Sequence, residues 1–231
     1  MKYDYNIAID LEWTPIFGTD RPEGLCQEII EIGAAKLGPD GRELDTFSEL
    51  VKPDFANGIT RRVRRITGIR NRDLTEARSF EEVLHSLEEW VGSGRSRMIT
   101  WDNTDRTQIL RECSAKGIES RLSKQRWLDL QKLYPRIMGT RRRQVALGEA
   151  ADWCGIEFDK RHRAVYDARA TGQIFHMAAT GECAEQRRVL ESSVTHDAHE
   201  NSCTASIADR CGSGLAELFA NLASQDTMAY A

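Results

Sequence analysis

The 231 residues and their 40% hydrophobic content suffice for one domain of ordinary size with a buried core, plus an appendage. No apolar run approaches the ~20 residues of a membrane span, and Met1-Lys2-Tyr3-Asp4 leads directly into a strand pattern without the apolar stretch of a signal peptide, so a cytoplasmic protein with no membrane partner is expected. The net charge of −4 is divided: residues 181–231 hold eight acidic and three basic side chains, which leaves +1 on the first 180.

Ile7 to Thr14 reads as an apolar, β-branched strand whose end carries Asp10 and Glu12. Side chains alternate along a strand, so these carboxylates share a face. Held side by side they repel, unless a cation lies between them or one is protonated; a hard divalent metal suits such oxygen donors. Pro15 to Gly24 is a loop. Glu28 to Leu37 reads as a buried strand, Gly38-Pro39-Asp40-Gly41 as a tight turn, and Glu43 to Val51 as a third strand, giving an antiparallel meander.

A short basic helix is expected from Thr60 to Ile66, stopped at Thr67-Gly68. A second covers Phe80 to Val91, where Phe80, Val83, Leu84, Leu87, Trp90 and Val91 share a face. Arg97 to Trp101 is a fourth strand and Thr104 to Ala115 a helix. A short strand near Arg126 to Leu130 follows, then helices near Gln131–Met138 and Val145–Cys154, and a last one from Ala164 to about Ala179. This order describes an α/β domain, a mixed five-stranded sheet flanked by helices. The six cysteines form no Cys-x-x-Cys pair and read as reduced thiols. Six arginines lie between Arg61 and Arg72, and Arg141, Arg142 and Arg143 are consecutive; such clusters mark either phosphate contact or a solvated face.

In open α/β sheets a site forms at strand carboxyl ends. Asp10 and Glu12 end the first strand, and Asp105 lies just past the fourth. Arg161-His162-Arg163-Ala-Val-Tyr-Asp167 opens the last helix, whose dipole favours an ionised Asp167. His85 and His176 fall within helices, as structural or exposed residues.

With these residues in place, the chain resembles the DnaQ-like exonuclease superfamily in its DEDDh branch, which has a ribonuclease-H-like fold. The first motif matches Asp10-Leu11-Glu12-Trp13-Thr14, the second Trp101 to Asp105, and the third His162 followed five residues later by Asp167; Ile66-Thr67-Gly68-Ile69 with Leu74, and Trp127-Leu128-Asp129-Leu130, support them. The set covers roughly residues 5–180 and is most similar to the stand-alone subgroup that includes exonucleases trimming histone messenger RNA and small RNAs. That subgroup often has Trp-Gly where this chain has Trp101-Asp102, so Asp102 competes with Asp105. The helix-like Arg-x-x-Ile-Leu pattern after Asp105 favours it, and leaves Asp102 as a turn or capping residue.

The resemblance implies a 3′-to-5′ exonuclease that releases nucleoside monophosphates from the 3′ ends of single-stranded RNA or DNA, RNA being the expected preference. It implies two divalent ions, Mg²⁺ or Mn²⁺. Asp10 would bridge them, Glu12 and Asp167 would complete the first site, Asp105 would hold the second, and His162 would be the general base, its pKa lowered by Arg161 and Arg163 on either side. Leu11, Trp13 and Thr14 would meet the last sugar and base, and Ile69 would wedge against a base or else simply pack. Arg65, with Arg61, Arg62 and Arg64, would grip phosphates upstream.

Residues 1–180 are therefore expected to form the nuclease domain and 181–231 an acidic, polar linker ending in a short amphipathic helix with Leu215, Leu218, Phe219 and Leu222 on one side. Residues 212–225 could pair with a copy or bind a partner such as a polymerase, the alternative being a proofreading or adaptor subunit. The spacing of His196, His199, Cys203 and Cys211 fits no familiar zinc finger.

Overall fold

A computed structural model describes residues 3–18, 20–139, 144–157 and 162–182. The opening meander is β1 (Tyr5–Pro15), β2 (Gln27–Leu37) and β3 (Glu43–Lys52), successive strands pairing antiparallel. A two-residue strand β4 (Arg78–Ser79) adds to β3, while β5 (Ser96–Thr100) and β6 (Arg126–Asp129) extend the other side in parallel, for an order β4-β3-β2-β1-β5-β6. Six strands thus replace the five expected, because two residues carry no periodicity to read.

The helices are α1 (Arg61–Thr67), α2 (Asn71–Thr75), α3 (Phe80–Val91), α4 (Thr104–Lys116), α5 (Leu130–Ile137), α6 (Leu147–Trp153) and α7 (Ala164–Thr180). Their ends follow local chemistry. Thr60 caps α1 through the Val63 N–H, and Gly68, at φ 76°, ends it. Ser79 and Glu82 form a capping box at the start of α3. The short α2 was not among the expected elements.

Alternation along β1 divides the molecule. Ile7, Ile9 and Leu11 enter a core closed by α3 and by Ile109 and Cys113 of α4. Ala8 lies under Gly172 of α7, so Asp10 and Glu12, in step with Ala8, face the side where α7 packs. Leu37, Ile99 and Trp101 build the core on that side with α5, α6 and α7.

Two close contacts fix the elements around the strand ends. Gly33 of β2 pairs with Asp10, and a Cβ there would fall 2.1 Å from the Ala164 carbonyl carbon; only glycine lets the start of α7 come this near. On the other side Lys116 of α4 bridges Glu28 (3.0 Å), Glu112 (2.9 Å) and Asp54 (2.8 Å). Glu28 also accepts the N–H groups of Asp54, Phe55 and Ala56. This buried network ties the segment entering α1 to the helix that carries Asp105.

Candidate active site

The carboxylates converge on the later half of β1, past the residues that pair with β5; Asp10 is mid-strand and not at the strand's end as expected, because pairing with β2 continues to Pro15. Asp10 and Glu12 are half-buried on one face of the strand. Asp105 comes from the first turn of α4 and is 5% exposed, and Asp167 from the first turn of α7 and is 8% exposed. Burial, and then the charges of Asp105, Asp167, Glu12 and Glu31, hold the Asp10 carboxyl well above the usual carboxylate range. Glu12 is pushed up to about 8 by burial, then by Asp167 and Glu31, against the opposing charge of Arg163. Burial also raises Asp105, helped by Asp102 and opposed by hydrogen bonds from its own backbone and from Leu11. Asp105 receives donors from its own backbone and from Leu11, and Asp167 from the His162 N–H, whereas burial and like charge dominate at Asp10 and Glu12.

His162 immediately precedes this cluster. Its backbone takes the left-handed conformation, φ 65°, and its N–H donates to Asp167 Oδ2 at 2.7 Å. One ligand atom each of Glu12, His162 and Asp167 all lie within 4.8 Å of one another. Hard oxygen donors with raised proton affinity, crowded beside an imidazole, fit a divalent cation, which relieves their repulsion better than a proton does.

That reading has a thermodynamic consequence. Glu12 in the folded, metal-free protein holds a proton between its ordinary value of 4.5 and about 8, whereas the unfolded chain has released it. The native state binds more protons in that window, so its stability falls as pH rises from about 4.5 to 8. The melting temperature after chelation is expected to be lower at pH 8 than at pH 6, on the order of 5 °C, and Mn²⁺ should close the gap. A gap that Mn²⁺ leaves intact would place Glu12 outside any metal site.

Among the other candidates, Asp102 Oδ1 accepts the Thr104 N–H at 2.6 Å, a turn just ahead of Asn103, the N-cap of α4. A polar cleft of about 710 Å³, which sequence reasoning did not find, opens beside Asp102 and Thr104 and is lined also by Gln27, Gln108, Arg111 and Lys132. Trp13 is half-buried and Arg65 exposed. The side chains of Leu11, Thr14 and Ile69 lie inside: Leu11 belongs to the α3/α4 core, and Thr14 Oγ1 donates to the Gly58 carbonyl at 3.4 Å. Ile69, 3% exposed, packs with Ile30 and Leu74. Of the two readings open for Ile69, its burial fits packing; the exposed aliphatic of that segment is Ile66, at 38%. Arg141, Arg142, Arg143, Arg161 and residues 183–231, with the tail helix, lie outside the described residues.

Arg163 departs from expectation. Its guanidinium grips Glu31 of β2, Nη2 to Oε1 at 2.7 Å and Nε to both oxygens at 3.0 Å, while the Ala164 N–H donates to Glu31 Oε2 at 3.2 Å. Glu31 was not singled out from sequence, where it sits inside the apolar run Ile29-Ile30-Glu31-Ile32.

A mixed sheet of this order, with acidic residues gathered along one strand, matches the ribonuclease-H-like fold of known exonucleases. Residues 7–175 match the model of the Exonuclease family (RNase_T), and the chain belongs to that family. It is similar to the probable 3′-5′ exonuclease KapD of Bacillus subtilis, 27% identical over 74% of this chain and 82% of that protein. It is also similar to DNA polymerase III PolC-type of Thermotoga petrophila, 32% identical over 73% of this chain but 11% of the polymerase, and to rat 3′-5′ exoribonuclease 1, 25% identical over 74% of this chain and 52% of that protein. The chain thus spans about half of the latter's length and a small part of the polymerase. Among solved structures, the nuclease domain of 3′hExo, a DEDDh family member bound to rAMP, superposes with a TM-score of 0.68 at 23% identity, covering 79% of this chain and 94% of that one. The protein is a 3′-5′ exonuclease acting on nucleic acid, of a family that uses divalent metal ions. Among the described residues no helix is long and apolar enough to cross a membrane.

Proposed function

We propose that the protein removes nucleoside monophosphates one at a time from the 3′ end of single-stranded nucleic acid, RNA in preference to DNA, with two divalent ions, Mg²⁺ or Mn²⁺. The observation that carries this reading is the gathering of Asp10, Glu12, Asp105 and Asp167 with His162 along the later half of β1. Asp10 lies within the field of both Asp105 and Asp167 and would help to hold both ions. Glu12 and Asp167 would complete one site and Asp105 the other. When bound, such a pair supplies charge neutralisation at the phosphoryl group and at the leaving oxygen, and favours ionisation of the attacking water.

The chain's own residues do the rest. His162, exposed and tied to Asp167 through its backbone, takes the proton from the attacking water. Trp13 meets the terminal sugar or base. Arg65, exposed beside Arg61, Arg62 and Arg64 on a helix whose Val63 packs inward, contacts phosphates upstream and makes affinity fall with salt. The RNA preference draws on the likeness to exoribonuclease 1. A second reading, a proofreading or adaptor subunit attached through residues 212–225, draws on the likeness to the PolC-type polymerase.

The test is digestion of 5′-end-labelled single-stranded RNA and DNA of one sequence. A ladder shortening from the 3′ end, monophosphate products, loss on chelation and recovery with Mg²⁺ or Mn²⁺ are expected, with RNA consumed faster. Cleavage at internal positions, or full activity under excess chelator, would overturn the proposal. Equal rates on both strands would remove the RNA preference alone.

A further inference from the structure

Glu31 sits where a carboxylate is costly. Its side chain is 1% exposed, it pairs in register with Glu12 across β1 and β2, and it adds a fifth carboxyl group to four that are already crowded together. A buried acid in such a place destabilises the fold unless a cation and further donors hold it. Arg163 supplies the cation through a fork of contacts at 2.7 and 3.0 Å, and the Ala164 N–H supplies a further donor at 3.2 Å. Arg163 is the N-cap of α7 and Ala164 its first residue. Gly33, two residues along the same face of β2, meets the same Ala164 backbone. The start of α7 is thus seated on β2 by a close approach at Gly33 and by a bidentate ion pair at Glu31.

The chemistry-bearing residues flank this seat. His162 directly precedes Arg163, and Asp167 follows within the first turn and accepts the His162 N–H. Arg163 also lies within the field of Glu12, so a guanidinium released from Glu31 has a catalytic-site carboxylate to pair with, in competition with a metal ion. A planar fork on a buried carboxylate holds both position and direction, which a single ammonium contact does not.

We infer that Glu31 is a positioning residue that latches Arg163 and the first turn of α7 onto β2, setting where His162 and Asp167 stand relative to Glu12 and keeping the Arg163 guanidinium off that carboxylate. The inference rests on the reading of His162 as the base and Glu12 as a metal ligand.

The test uses the full chain, a single-stranded oligonucleotide and Mn²⁺. Glu31→Gln is expected to lower kcat about 10- to 100-fold, the scale of a sub-ångström to ångström misplacement, with KM for the oligonucleotide within about twofold and half-saturating Mn²⁺ raised about fivefold or more. Adding Arg163→Gln removes the stray charge, so the Mn²⁺ requirement should return to within about twofold of the native value while kcat stays low. In a His162→Ala background, Glu31→Gln should lower kcat by clearly less than it does beside the imidazole, because one of the two residues it positions is gone while Asp167 remains. Where Glu31→Gln does not fold, Arg163→Lys keeps the charge, loses the fork and should show the same kcat loss.

A folded Glu31→Gln protein with native kcat and native Mn²⁺ requirement overturns the latch. So does an equal kcat loss with and without the imidazole, which marks a general structural role. A His162→Ala protein with native rate sinks the base reading instead, and the Mn²⁺ titrations of Glu31→Gln then decide the latch by themselves.

Discussion

Asp105→Asn is expected to abolish turnover, a loss on the order of 10³-fold or more, while Asp102→Asn stays within a few-fold of the native rate. The two residues lie three apart in one turn and both are acidic, but their surroundings differ. Asp105 is 5% exposed and lies within the field of Asp10, and asparagine in its place keeps the shape while removing the charge a metal site needs. Asp102 uses one oxygen to accept the Thr104 N–H at the start of α4. Asparagine closes the same turn through its side-chain oxygen, so that bond survives the exchange. Asp102 also helps raise Asp105; neutralising it should shift the acid limb of the pH–rate profile to lower pH, because Asp105 ionises more easily. Single-turnover rates in saturating Mn²⁺ with metal affinity by calorimetry would check both arms. The reversed pattern would transfer the metal role to Asp102, and two dead variants would mean that the pair shares it.

What sequence reasoning could reach here was set by how far each interaction spans. The Asp10-x-Glu12 pair, the helix opened at Thr104 and the histidine five residues before Asp167 are local patterns, and periods of two and 3.6 place them on strand ends and first turns. Ile69 could not be judged the same way. An aliphatic residue that packs on Ile30 and Leu74 looks in sequence like one that meets a base, and only burial separates it from Ile66. Glu31 was harder still, since its partner Arg163 is 132 residues away and its neighbours in β2 are apolar. The strand reads as a plain core strand, and nothing in the segment around His162 points Arg163 toward it. The polar cleft beside Asp102 escaped for a similar reason, because it joins β2, α4 and α5 and no one segment carries its pattern.

His162→Ala is expected to lower the single-turnover rate on the order of 10²- to 10⁴-fold, the usual contribution of a positioned base, and to leave Mn²⁺ affinity nearly unchanged. The local geometry makes the experiment informative. The contact from residue 162 to Asp167 is made by the backbone N–H at 2.7 Å, so trimming the side chain leaves that bond available and lets Asp167 keep its place. The residue has φ 65°, where alanine is mildly strained and asparagine is better tolerated; a matching loss in His162→Asn would therefore assign the effect to the imidazole and not to backbone strain. The side chain is exposed while one of its nitrogens stands within 4.8 Å of ligand atoms of Glu12 and Asp167, a position from which it could bind a metal as well as take a proton. Calorimetry separates the two. A base lost leaves the carboxylates to bind Mn²⁺ as before and flattens the dependence of rate on pH near neutrality, whereas a ligand lost weakens Mn²⁺ binding in step with the rate. An unchanged rate would leave Asp10, Glu12, Asp105 and Asp167 to activate water without the imidazole, and the base would have to be sought elsewhere.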